Sequence, residues 1–261
     1  MKYYKTPQEL RQAVREGKFK NQTSGQAKGF VQANLVILPE SWAYDFLLFS
    51  QRNPKPCPVL EVGDTGSFKT KYIAKDGDIR TDIPKYRIYK NGNLIEERQN
   101  IIDLWQNNFV FFLLGCSFSF EQALLEAGLE IRHISSNKNV PMYNTNIMCK
   151  SAGKFKETPM VVSMRPFTPE DAVKATEITH SYPSVHGCPI HLGNPEKIGI
   201  KDINTPDYGD SVNINYNEIP VFWACGVTPQ KAAMIAKPPL MITHSPGYMF
   251  VGDFNDKEFK V

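Results

Sequence analysis

A chain of 261 residues with 41% hydrophobic and 22% charged residues can bury a sizeable core and is too apolar to be disordered. Its net charge of +3 comes from scattered lysines and arginines, which argues against nucleic acid as a partner. The longest apolar run, Phe109 to Cys116, is too short to cross a bilayer, so no membrane span is expected.

No apolar segment follows the N-terminus, so no secretory signal is expected. Five cysteines without paired spacing fit reduced thiols better than a disulfide framework. The expectation is a soluble cytoplasmic protein, and a homo-oligomer is compatible with these totals.

Thr6, Pro7 and Glu9 form a capping box with proline at the first helical position, and Gly17 stops that helix. Phe30 to Leu38 reads as a strand with polar interruptions at Gln32 and Asn34. Pro39 starts a second helix carrying Trp42, Phe46 and Phe49 on one face. It ends before the extended segment Pro54-Lys55-Pro56-Cys57-Pro58. Val59 to Val62 is a short strand, and residues 67–100 read as β-ribbon, with a hairpin turn at Asn91-Gly92. Ile101 to Asn107 reads as helical.

Two stretches then share a pattern. Phe109 to Gly115 leads into Cys116-Ser117-Phe118-Ser119-Phe120-Glu121-Gln122-Ala123. Val221-Phe222-Trp223-Ala224 leads into Cys225-Gly226-Val227-Thr228-Pro229-Gln230-Lys231-Ala232. Both read Cys, two residues, Ser or Thr, one residue, Glu or Gln, one residue, Ala. Each is an apolar strand, a tight turn and a helix start, a geometry that aims backbone N–H groups at an anion. Strand–turn–helix units are common, so chance likeness competes with a true pair. Between them lie short strands ending at Met160–Met164 and a helix capped at Thr168. The expected fold class is α/β: a three-layer α/β/α body with a smaller inserted two-layer α+β subdomain. Residues 1–114 and 187–261 would form the body and 115–186 the insertion.

Cys116 and Cys225 sit where a helix dipole stabilises a thiolate, although buried structural cysteines are the commoner case. Ser119 and Thr228 read as N-caps that also line the helix ends, beside Ser117. Glu121, in a first helical turn, is either a structural carboxylate or, beside a bound anion, a general acid. Arg165, before Pro166, reads as leaving its sheet at an edge to grip a carboxylate, or as a surface partner of Glu170 or Asp171. His186-Gly187-Cys188-Pro189-Ile190-His191 is the densest cluster of potential metal ligands. Its spacing is incomplete for zinc, and proton transfer by His186 or His191 is the preferred reading. His244 ends an apolar strand before a Pro-Gly turn, a usual place to meet ligands. Dinucleotide, phosphate-loop and serine-hydrolase motifs are absent.

Gln32-Ala33-Asn34-Leu35, Gln51 to Pro58, Gly115 to Glu121, Val162 to Pro166, Phe222 to Gln230 and Ile242-Thr243-His244 together resemble the D-glutamate cyclase family. Bacterial members of that family carry a hydro-lyase label. The resemblance spans about Gly25 to Asp253. It implies a three-layer part with a smaller two-layer part, and conversion of D-glutamate to 5-oxo-D-proline with loss of water. The family's loop reads His-Gly-Ala-Pro where this chain has His186-Gly187-Cys188-Pro189, which weakens any metal role for Cys188.

The expectation is a hydro-lyase for a small amino dicarboxylate, with no cofactor and no metal. Cys116, Glu121, His186, His191 and His244 are the candidate catalysts. Ser117, Ser119, Arg165, Cys225 and Thr228 are the candidate substrate-binding residues. A dehydratase of a small hydroxy acid and a non-catalytic carboxylate-binding protein are the alternatives. If both cysteine turns belong to one sheet, Cys116 and Cys225 should flank a common cleft, with His244 nearby.

Overall fold

The computed structural model describes residues 3–261 and has a mixed α/β fold. Helix α1 (Pro7–Arg15) has the full capping box at Thr6 and Glu9. Its buried Arg11 donates to the Val251 carbonyl at 2.7 Å and pairs with Asp253 at 2.8 Å, fastening the helix to the sheet beneath it. Strand β1 (Phe30–Pro39) runs into α2 (Glu40–Arg52). The short β2 (Val59–Val62) follows, then the hairpin β3 (Tyr86–Lys90) and β4 (Asn93–Arg98). The hairpin turns at Asn91 and Gly92, both at positive φ, as an Asn-Gly turn requires. Residues 67–85 are mostly turns, and only Ile102–Leu104 forms a short 3-10 turn where a helix was expected. That segment is too short and too poorly capped to propagate.

The fully buried β5 (Phe109–Gly115) leads to α3 (Phe118–Glu126), the single turn α4 (Arg132–Ser135), β6 (Met142–Met148) and β7 (Pro159–Phe167). Next come α5 (Pro169–His180), β8 (His191–Leu192), β9 (Ile219–Ala224), α6 (Thr228–Ala236), β10 (Met241–His244) and β11 (Phe250–Asn255). Seven strands form one sheet in the order β2-β5-β1-β10-β3-β4, with β11 also paired to β1. The second sheet is β6-β7-β9-β8, so its strands come from residues 142–224. Every named pair is antiparallel.

This pairing corrects the one-sheet premise. β5 belongs to the large sheet and β9 to the small one, so the cysteine turns do not share a sheet edge. The two units are nevertheless built alike. β1 leads to α2 and pairs with β5, whose following helix is α3; β7 leads to α5 and pairs with β9, whose following helix is α6. The Gln32 N–H donates to Ser119 Oγ at 2.9 Å, and the Val161 N–H donates to Thr228 Oγ1 at 3.0 Å. The Gly63 N–H donates to the Phe111 carbonyl at 2.9 Å, and the Gly193 N–H donates to the Pro220 carbonyl at 2.8 Å. The sequence likeness thus continues as a strand–helix architecture used twice.

Alternation sorts the core. Ala33, Leu35 and Ile37 of β1, Phe111 and Leu113 of β5 and Phe120 of α3 face one cluster, which also takes Val221 and Trp223 of β9 from the other unit. Val36, Leu38, Phe112 and Leu114 face the opposite cluster with Phe46 and Phe49 of α2 and Phe155. The first cluster is therefore the layer that both sheets share.

Gly115, where β5 meets its cysteine turn, leaves no room for a side chain. A Cβ there would lie 2.2 Å from the Ser184 carbonyl oxygen and 3.0 Å from Val185 Cα. Gly115→Ala must displace the backbone of the 183–186 loop, so it is expected to destabilise the protein by about 1–3 kcal/mol. Urea unfolding checks this; an unchanged midpoint would show that the loop yields freely.

Candidate active site

The cysteine turns of the two units converge although their sheets differ. Cys116 and Cys225 lie in one buried cluster with Phe118, Val140, Met142, Val161, Val227 and Met249. Asn34 sits at the same junction. Its Nδ2 donates to the Gly115 carbonyl at 2.7 Å, and a Cβ on Gly226 would come within 2.0 Å of that nitrogen. A residue of the first unit is thus pressed against the turn of the second, and Gly226 is the residue that permits it.

Arg165 is the charged centre of this junction. It is fully buried, facing the rings of Phe120 and Trp223 with Cζ 5.5 and 5.4 Å from their centroids. Its Nε donates to Glu121 Oε1 at 3.1 Å, and Nη2 makes a short bond to the same oxygen. Nη1 donates to Ser163 Oγ and Nη2 to Ser117 Oγ, both at 3.1 Å. The expectation of an arginine leaving the sheet at its edge is corrected. β7 continues through Pro166 to Phe167, because β6 pairs only up to Ser163 and asks no N–H of Pro166. Its fork meets a carboxylate of the protein itself, and that carboxylate belongs to neither Glu170 nor Asp171.

Burial pushes the Glu121 carboxyl up, but the nearby His133 and the Arg165 guanidinium, with the hydrogen bonds Arg165 donates, outweigh it and hold the group below its ordinary range. Glu121 is an ionised carboxylate here, which disfavours the general-acid reading. His133 Nε2 lies 3.2 Å from Glu121 Oε1 but off a hydrogen-bond direction. Sequence reasoning missed His133, which no motif flags, and gave no role to Ser163, although it lies within the Val162 to Pro166 motif. Asn34 had a signal, as a polar residue inside an apolar strand.

Burial also governs the thiols. It raises Cys116 well above the ordinary thiol range and pushes Cys225 up to about 11, although backbone N–H groups of each helix start act the other way. Both are neutral thiols at neutral pH, so the dipole-activated nucleophile is corrected: desolvation outweighs the helix end.

Ser119 and Thr228 are corrected as N-caps. The helices begin at Phe118 and Thr228, with Ser117 and Val227 at the caps and no side-chain cap bond. Both hydroxyls serve the neighbouring strand's backbone, which leaves them buried and engaged.

The histidines separate. His191, on β8 opposite Phe222, bonds the Asn194 carbonyl through Nε2 at 2.7 Å. Strand alternation places Phe222 in the cluster with Tyr143, Val162 and Met164, away from Trp223 and Arg165, so His191 does not join the junction. His186 is buried at a positive φ of 85°, and its Nδ1 lies 2.6 Å from the Lys55 carbonyl. A carbonyl only accepts, so Nδ1 carries the proton and Nε2 is left with a lone pair. That Nε2 is buried without a protein partner.

His244 has the reverse arrangement. The Leu35 N–H donates to its Nδ1 at 3.0 Å, a better contact than the 3.4 Å to the Leu35 carbonyl, so the neutral ring carries its proton on Nε2. Burial pushes both His186 and His244 down to about 4, leaving two neutral imidazoles of opposite tautomer. Among the described residues no group of three or more His, Cys, Asp or Glu is arranged to hold a metal.

Beside α3, a small cavity of about 50 Å³ is lined by Gly25 to Phe30, Gln32, Glu121 and Asp256, among others. Gln32 Oε1 and Asp256 Oδ1 are buried without hydrogen-bond partners. Burial, helped by Glu126, pushes Asp256 up to about 7.

A family-wide sequence profile described as D-glutamate cyclase matches residues 110–253. A protein named "Putative hydro-lyase GK2103", from Geobacillus kaustophilus (strain HTA426), is 56% identical over 253 residues, 97% of this chain and 96% of its own. A protein of Staphylococcus haemolyticus (strain JCSC1435), named "Putative hydro-lyase SH0274", is 57% identical over 253 residues, 97% of each chain. Among solved structures, a nitrogen repressor-like protein from Methanococcus jannaschii aligns with 94% of this chain and 98% of its own. Its identity is 10% and its TM-score 0.38, too remote to bear on fold or function.

Removing one partner of the buried pair strands the other charge. Arg165→Met and Glu121→Gln should each cost about 3–5 kcal/mol, and the double variant clearly less than their sum. Denaturant unfolding of the cycle checks this, and strict additivity would contradict the coupling.

The titrations predict two opposed slopes. His186 and His244 stay neutral to about 4 against an ordinary 6.5, so their contribution is present above pH 6.5 and lost as pH falls toward 4. Asp256 keeps its proton to about 7 against an ordinary 3.8, so its contribution is present below pH 3.8 and lost as pH rises toward 7. Asp256→Asn should therefore be stabilised relative to the parent more at pH 8 than at pH 4. A pH-independent difference between the two would refute the assignment.

Proposed function

Because the chain belongs to the D-glutamate cyclase family, we propose that this hydro-lyase closes D-glutamate to 5-oxo-D-proline with release of water. In that reaction the amine nitrogen bonds the γ-carboxyl carbon and one carbon–oxygen bond breaks. The ammonium gives up two protons, and both leave on the departing oxygen as water.

The observation that carries the reading is the convergence of two strand–turn–helix units on one junction. Two helix starts, each with a partial positive charge, suit a ligand with two carboxylates. The Asn34 amide adds a polar group between the turns. Cys116 and Cys225, as neutral thiols, line the turns without acting as nucleophiles in this scheme. Arg165 and Glu121 neutralise each other, so their role is to fix Ser117 and the first turn of α3.

Cyclisation needs a base for the amine and an acid for the leaving oxygen. His186 suits the first task, since its tautomer leaves a lone pair on an unpartnered nitrogen. His244 suits the second, since its tautomer places the proton on Nε2. Holding the chain folded with nitrogen against carbon supplies much of the remaining acceleration.

Incubating the purified full chain with D-glutamate and following 5-oxoproline by mass spectrometry tests the reading, with L-glutamate as the stereochemical control. Turnover of the D isomer is expected, and His186→Gln should lower kcat by about 10²–10⁴-fold. Folded protein that yields no 5-oxoproline across neutral pH would exclude the substrate. Should dicarboxylates raise the melting temperature without turnover, the carboxylate-binding alternative takes its place.

A further inference from the structure

Lys55 ties two distant segments together. Its carbonyl accepts from His186, and its Nζ donates to the Cys188 carbonyl at 2.6 Å and lies 3.3 Å from Cys188 Sγ. The contact joins residues 133 apart in sequence. Both sides are stiff: Lys55 stands between Pro54 and Pro56, and Cys188 precedes Pro189. Among the described residues no carboxylate lies within 4.0 Å of Lys55 Nζ, so this lysine faces a thiol where a counter-ion would be usual. All five cysteines are free, and Cys188 is the one that is not buried. A reagent as small as hydrogen peroxide can therefore meet this sulfur while the other four stay enclosed.

We propose that Lys55 and Cys188 are a modification site, closed under hydrogen peroxide into a covalent nitrogen–oxygen–sulfur bridge. The Cys188 sulfur attacks one peroxide: an S–O bond forms, the O–O bond breaks, and water leaves with sulfenic acid behind. A second peroxide accepts two electrons as the N–O bond to Lys55 closes. The sulfenic proton and one amine proton leave with it, and this peroxide becomes two waters. Thiol, amine and two peroxides thus give the bridge and three waters, a four-electron oxidation of the pair. A dithiol in excess returns thiol, amine and one water while its own sulfurs pair as disulfides. The N···S approach of 3.3 Å makes capture by the amine intramolecular, ahead of over-oxidation to sulfinic acid. The bridge locks the 183–189 loop, which carries His186, onto the Asn53–Pro58 segment, and it does not depend on the catalytic reading.

The test treats the full chain with hydrogen peroxide and follows intact mass and peptide maps. The bridge adds one oxygen and removes two hydrogens, in a cross-linked peptide containing Lys55 and Cys188. It reverses with dithiothreitol and is absent from Lys55→Arg and Cys188→Ser. Methionine sulfoxides add whole oxygens on other peptides and are read separately. The bridged protein should also melt at a higher temperature than the reduced protein, because the link closes a long loop in the unfolded chain. Only whole-oxygen adducts at Cys188, an unmodified Cys188 once the methionines are oxidised, or the bridged mass surviving in Lys55→Arg would each overturn the proposal.

Discussion

The Arg165 guanidinium, enclosed on the middle of β7, reaches Glu121 and Ser117 at the start of α3, and through them a charged contact spans the two sheets. Neither group could be buried alone, since an unpaired charge in this setting costs several kcal/mol. Packing β7 against the end of β5 therefore requires both at once. Phe120 and Trp223 add their ring faces to the guanidinium, so the ion pair sits in an aromatic slot with little water to screen it. The dependence runs outward from there. The Cys116 turn is held by its neighbour Ser117, and the Cys225 turn by Asn34 against Gly226.

Two units built alike make this junction, but their chemistry differs. Where α3 presents Glu121, α6 presents Gln230, whose Nε2 donates to the His244 carbonyl at 3.0 Å. One unit thus carries the charged pair, and the other a neutral amide beside a neutral histidine. A pseudo-symmetric frame with unequal polar groups suits a substrate whose two carboxylates must meet different fates. In the proposed cyclisation one is gripped and the other loses an oxygen.

The neutrality of the histidines and thiols has one source. Enclosure removes water from each, and a group without a counter-ion then takes its uncharged form. For the thiols this favours lining over attack. For the imidazoles it retains a basic nitrogen on one ring and a protonated nitrogen on the other. Which is which follows from whether the main-chain partner is a carbonyl or an N–H.

Local signals settled much of the architecture. Capping at Thr6 and Thr168, the apolar runs at β1, β5 and β9 and the Asn-Gly turn mark their elements because each acts over a few residues. The paired cysteine turns were legible too, as a spacing of residue types shared by two stretches. Strand pairing was not. Which strands meet depends on contacts between residues far apart in the chain, so two sheets could not be told from one. The same limit hid the partner of Arg165. Its position before Pro166 suggested an edge, whereas the shorter β6 leaves that proline unpaired inside a longer strand. His186 and His191 stand five residues apart and looked like one cluster, yet strand register sends His191 to the far face. By itself the sequence determined the capped helices, the apolar strands and which turns resemble each other. Only the tertiary structure decided which charges are buried together, because burial and pairing are properties of the packed whole.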